Sequence, residues 1–141
     1  MLRNAIRITA IVLAVGATAD AQAPRSGGAA APTVTRTVLR QEDLVNNPGY
    51  AVAMVRVDLP PGAREGIHFH PGSLVAVVEA GHMSLDVDNN GKMETMRYEV
   101  GDTFYVQPKR FHEGHNDGTI PVKLLASFVF PKDQAMTIQK P

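Results

Sequence analysis

From position 34 onward, apolar residues come in short runs, many alternating with polar ones, and turn-forming residues interrupt them at frequent intervals. The interruptions are Asn47-Pro48-Gly49, Pro60-Pro61-Gly62, Pro71-Gly72, Ala80-Gly81, Asn90-Gly91, Val100-Gly101 and Asn116-Asp117-Gly118. That rhythm predicts an all-β sandwich or barrel. A first strand is expected over 34–39. A second follows over 50–59, with Ala53, Val55, Val57 and Leu59 on one face and Met54, Arg56 and Asp58 on the other. The continuously apolar run 74–78 predicts a strand covered on both faces. Met83, Leu85 and Val87 alternate with Ser84, Asp86 and Asp88, and Asn89-Asn90-Gly91 predicts a hairpin turn back into 92–98, because Asn and Gly accept positive φ. Further strands are expected over 103–106, 111–116 and 122–130, the last with Val122, Leu124, Ala126, Phe128 and Phe130 on one face. No segment sustains a helical period.

The first 23 residues break the pattern and read as an export signal: Arg3 and Arg7 supply positive charge, residues 8–17 a short apolar stretch, and Ala21-Gln22-Ala23 a cleavage site. The apolar stretch is too short to span a bilayer of about 30 Å. Residues 24–33 lack bulky apolar side chains and read as a flexible linker, which leaves 34–141 as one domain. The expected location is the periplasm or the exterior, with no membrane span after cleavage. Fourteen Lys and Arg against fourteen Asp and Glu give no net charge. Without a basic block, nucleic acid is not an expected partner. There is no cysteine, so disulfides, thiolate nucleophiles and thiolate metal ligands are all excluded.

Candidate chemistry lies in histidine. In an extended strand His68 and His70 share one face, and two neighbouring neutral imidazoles can take adjacent positions on a divalent metal. Their setting resembles the cupin family. The first cupin motif runs Gly62, His68, His70, Gly81, with Leu74 where the family places a ligating Glu. The second runs Gly101, His112, Asn116, with Gln107 at the usual Pro and Lys109 at the usual Gly. The resemblance spans 62–116 and implies a single-domain cupin of type 2, a double-stranded β-helix or jelly-roll barrel, holding one divalent transition metal on His68, His70 and His112. Fe2+ heads the list of expected metals, with Mn2+, Ni2+, Zn2+ and Cu2+ as alternatives.

Leu74 cannot ligate, so the metal would rest on three neutral imidazoles, as in some cupin dioxygenases, and an anionic ligand would be favoured. A cupin that has lost its metal is the competing account of Leu74. By strand parity Glu65 and Glu79 face away from the His68/His70 side, and His82 and His115 are read as surface histidines. Phe69, Phe104, Tyr105 and Phe128 are expected to fill the core or line a pocket, and Asn116 to pack and hydrogen-bond. The function implied is a metal-dependent, Fe(II)-type oxygenase acting on a small anionic or enolisable substrate. The alternative is a non-catalytic module that binds metal or a small ligand. A homodimer is expected as well, from the length of the apolar face over 122–130.

Overall fold

The computed structural model describes residues 30–141; the expected export signal and most of the expected linker lie outside the described residues. The described chain forms ten strands and no helix: β1 (Thr35–Leu44), β2 (Asn47–Leu59), β3 (His68–Phe69), β4 (Ser73–Ala80), β5 (Met83–Asn89), β6 (Lys92–Tyr98), β7 (Thr103–Val106), β8 (His112–His115), β9 (Val122–Pro131) and β10 (Ile138–Gln139). They make two five-stranded antiparallel sheets, ordered β1-β2-β9-β4-β7 and β10-β3-β8-β5-β6, which face each other as a jelly roll.

Alternation along each strand places the core between the sheets. Val55, Val57 and Leu59 of β2, Leu124, Ala126 and Phe128 of β9, Leu74, Ala76 and Val78 of β4, and Leu85 and Val87 of β5 are all buried. Each fully buried Leu, Val or Phe contributes about 1.5–3 kcal/mol. The β5–β6 hairpin turns at Asn90 and Gly91, with φ of 55° and 87°, as the Asn-Gly pair requires.

Three expectations change. The chain does not turn at Asn47-Pro48-Gly49; the β1–β2 hairpin turns at Val45-Asn46 and β2 runs through the Pro-Gly pair. The β1–β2 register jumps from Asp43–Ala51 to Leu44–Asn47, so Pro48 sits in a bulge where no donor to β1 is needed. The apolar run of β4 is covered on one side only, with Val75 and Val77 on the outer face and Val75 exposed. The apolar face of β9 that motivated the dimer fills the core; the exposed apolar residues of that sheet lie on its other side. The sequence pattern also gave no sign of β10, a two-residue strand that pairs with β3.

Lys109 accounts for its own departure from the motif. It adopts φ of 61°, the left-handed conformation that glycine accepts freely, and its N–H donates to the His70 carbonyl at 2.7 Å. A left-handed non-glycine residue costs about 1–2 kcal/mol, and glycine returns about 0.5–1 kcal/mol of that through the freer unfolded chain. Lys109→Gly should therefore stabilise the domain by about 0.5–1 kcal/mol in thermal or urea denaturation. Destabilisation would mean that the lysine side chain supports this turn.

Candidate metal centre

Two adjacent strands and the turn after one of them bring the three candidate histidines together. His68 on β3 lies directly opposite His112 on β8, and His70 follows one turn of the pleat later, just beyond β3. All three are buried, and their ligand atoms lie within 4.8 Å of one another.

Each ring is oriented by a backbone carbonyl. Nδ1 of His68 lies 2.8 Å from the Gly66 oxygen, Nδ1 of His70 2.8 Å from that of Met136, and Nδ1 of His112 2.9 Å from that of Arg110. A carbonyl oxygen only accepts, so each Nδ1 carries the proton and donates it. Nε2 is then an unprotonated lone-pair donor on every ring, which is the form a metal ligand must take. The Nε2 atoms of His70 and His112 stand 3.2 Å apart. Two nitrogens on one ion at about 2.1 Å are separated by about 3.0 Å at a right angle and about 3.4 Å at the tetrahedral angle. Without a cation between them, those two lone pairs repel. Tautomer, burial and spacing all fit a divalent metal, and the protein carries a three-histidine metal site.

The walls are mostly apolar. Leu74, Phe104, Leu124, Ala126 and Phe128 line the cavity with the three imidazoles, and the Phe128 ring packs edge-on against His70 at 4.9 Å between centroids. The cavity is small, with a volume of about 30 Å³. Besides the histidines, its polar lining is Arg36 and Glu65.

Glu65 overturns the parity argument. It precedes the short strand β3 in a loop, where strand alternation does not hold, and its carboxylate turns into the cavity. Arg36 had not been singled out, because only the β1–β2 register reveals which way it points. The Met136 carbonyl was equally invisible, since nothing in the sequence marks the C-terminal segment as packing on β3. His82 is exposed and pairs with Glu99. His115 is not a surface residue: it lies on the opposite face of β8 from His112 but is buried, with Nδ1 2.9 Å from Asp117 Oδ1. Its Nε2 is 3.2 Å from Asp86 Oδ2, an ion-pair distance without hydrogen-bond alignment. Phe104 and Phe128 are buried as expected, whereas Tyr105 points outward. Asn116 donates to the Leu59 and Ile120 carbonyls and accepts from the Gly118 N–H.

A second layer ties the loop of residues 62–67 to β8. Glu113 accepts from Arg64 at 2.6 Å and from the Gly66 N–H at 3.1 Å. The carbonyl of that same Gly66, in the next peptide unit, orients His68, so Glu113 holds the residue on which His68 depends.

Burial keeps the imidazoles neutral. Desolvation, reinforced by the neighbouring His112, lowers the His70 pKa to about 3; desolvation and the neighbouring His68 lower that of His112 to about 4, and desolvation lowers that of His68. An unfolded histidine titrates near 6.5, so below that pH the unfolded chain takes up protons that the folded chain refuses. The stability of the metal-free protein should be full above about 6.5 and fall as the pH drops towards 4. Thermal denaturation from pH 8 to pH 4 after chelation checks this, and a midpoint that is flat or rises on acidification contradicts it.

A sequence profile for the cupin domain matches residues 55–128. Comparison with curated proteins finds no significant match. Similar solved structures include an oxalate oxidase in complex with the substrate analogue glycolate, 25% identical with a TM-score of 0.57, where the alignment covers 67% of this chain and 50% of that one. A Bacillus subtilis oxalate decarboxylase with Mn(II) centres is 26% identical with a TM-score of 0.52, over 62% of this chain and 23% of that one. A conserved Klebsiella pneumoniae protein with a double-stranded β-helix domain is 21% identical with a TM-score of 0.59, over 79% and 88%. The chain spans half the length of the oxalate oxidase and less of the decarboxylase.

Proposed function

The chain belongs to the cupin domain family, and on that premise we propose that it is an exported, Fe(II)-type dioxygenase of a small anionic or enolisable substrate. The observation that carries the reading is the set of three Nδ1–carbonyl bonds, which leave three neutral Nε2 atoms facing one point. When bound, iron would supply Lewis acidity and one-electron chemistry with dioxygen. The three imidazoles would hold it without filling its coordination, and an incompletely filled shell is the mark of a catalytic rather than a structural site. Leu74, Phe104 and Phe128 keep bulk water out, which strengthens every electrostatic interaction inside. Because no histidine brings negative charge, an anion is the favoured incoming ligand. The small cavity selects for size. The similar oxalate oxidase was solved with glycolate, a small carboxylate.

Reconstitution tests this. Elemental analysis should find one iron per chain in the wild type and His82→Ala, and almost none in His68→Ala, His70→Ala or His112→Ala, since two imidazoles hold a divalent ion much more weakly than three. An oxygen electrode should then record uptake that depends on both iron and substrate across a panel of small carboxylates, β-diketones and catechols. Stoichiometric iron with no turnover on any of them would replace the enzyme with a non-catalytic metal-binding module.

We also propose a homodimer. Met54, Val75, Tyr105 and Val129 share the outer face of the β1-containing sheet and are 43%, 52%, 55% and 37% exposed. Met54 and Val75 both pair with Ser127, and Val75 also pairs with Tyr105, so three of these side chains lie in one row across four strands. Burying such a patch against a second copy satisfies it. Native mass spectrometry of protein from the original host reads dimerisation and export together. Two protomers, each beginning at Pro24, are expected; a single protomer removes the dimer, and a chain that retains residues 1–23 removes cleavage.

A further inference from the structure

The metal cavity has one polar corner that the histidines do not explain. Arg36 lies opposite Val57 in the β1–β2 register, so both side chains lie on the same, inner face of the sheet. Val57 is buried in the cavity wall, while Arg36, on the edge strand, is 35% exposed and stands where the cavity meets solvent. Val38, directed to the same face, is also exposed. This end of the inter-sheet space is open among the described residues.

Glu65 holds the guanidinium there. Its Oε1 accepts from Arg36 Nη2 at 2.6 Å, and its Oε2 accepts from the Gly114 N–H at 3.2 Å. Gly114 lets the carboxylate come close: a Cβ there would stand 2.4 Å from Glu65 Oε2 and 2.5 Å from Met83 Cε, and those flexible side-chain ends would have to shift. Glu65 is 9% exposed and is the one hydrogen-bond partner of Arg36 among the described residues. A guanidinium carries five donors, so most of the planar fork has no acceptor among the described residues.

A cation beside a metal site by itself opposes metal binding, and here the Glu65 carboxylate offsets it. An incoming anion turns that liability into attraction, because it meets the metal and the guanidinium together.

We propose that Arg36, held by Glu65 beside Gly114, anchors the carboxylate of a small carboxylate ligand whose other end reaches the three-histidine centre. This rests on the proposed metal-dependent function and gives its ligand a chemical class: a small carboxylate that meets the guanidinium at one end and the metal centre at the other. Glu65 is a positioning residue, and Arg36 is the specificity determinant.

The zinc-loaded full chain, with zinc content measured for every variant, is titrated with glycolate and with its uncharged analogue glycolamide. The wild type should bind glycolate at least about tenfold more tightly than glycolamide. Arg36→Gln should lose at least about tenfold in glycolate affinity while its glycolamide affinity and zinc content hold steady, and Arg36→Lys, with charge but no fork, should recover only part of the loss. Glycolate binding in Arg36→Gln within about threefold of wild type overturns the proposal, as does a wild type that does not bind glycolate. If Arg36→Gln fails to fold, the wild-type Arg36 Nε–H resonance decides: it should shift on glycolate addition, and an unmoved resonance counts against the anchor. A wild type that retains no zinc sinks the metal-dependent function instead, and the same resonance, followed in metal-free protein, still decides the anchor.

Discussion

The site depends on three hydrogen bonds in which backbone carbonyls hold the Nδ1 protons of His68, His70 and His112. They fix the tautomer, aim every ring and leave lone pairs converging on one point. The fold is arranged to supply those carbonyls. Gly66 is held by Glu113, Arg110 closes the turn from Gln107 in which Lys109 is left-handed, and Met136 is brought in by the C-terminal strand β10 on the edge of β3. None of the three acceptors is a side chain, so the arrangement is a property of the backbone path and is fixed only once both sheets are in place.

Such a site costs stability before it returns any. Three imidazoles lie out of water with two Nε2 atoms 3.2 Å apart and no proton to share, which the surrounding apolar core has to offset. A divalent metal relieves that repulsion, so binding and folding are coupled. The same apolar walls that make the empty site expensive give a bound ion and an anionic ligand a water-poor setting in which their charges act strongly. Leu74 sharpens this: it brings no negative charge, and among the described residues Glu65 is the only carboxylate in the lining, already paired with Arg36.

Much of this was legible in the sequence, and the misses share a cause. Alternation and turn residues located the strands from β4 to β9, and the motif spacing identified His68, His70 and His112 because the site is built from neighbouring strands in fixed register. Parity failed for Glu65 because β3 is two residues long and the loop before it follows no alternation. For His115 parity gave the correct face, but that face of β8 is covered by the Arg64 and Asp86 side chains, which no local pattern announces. The apolar run in β4 mimicked a strand buried on both sides, since Val75 and Val77 sit on an exposed sheet face. Arg36 and the Met136 carbonyl enter the site through pairings between the chain's ends and its middle, and a sequence read along its length does not contain them.

The central claim is that the backbone prepares three neutral imidazoles with Nε2 free before any metal arrives. Long-range ¹H–¹⁵N correlation of the histidine rings in metal-free protein at pH 7 tests it most directly. His68, His70 and His112 should all appear as the Nδ1–H tautomer, and zinc should shift their Nε2 resonances while those of His82 and His115 stay in place. A ring among the three that is protonated on Nε2, or an Nε2 that zinc leaves unmoved, would contradict the account.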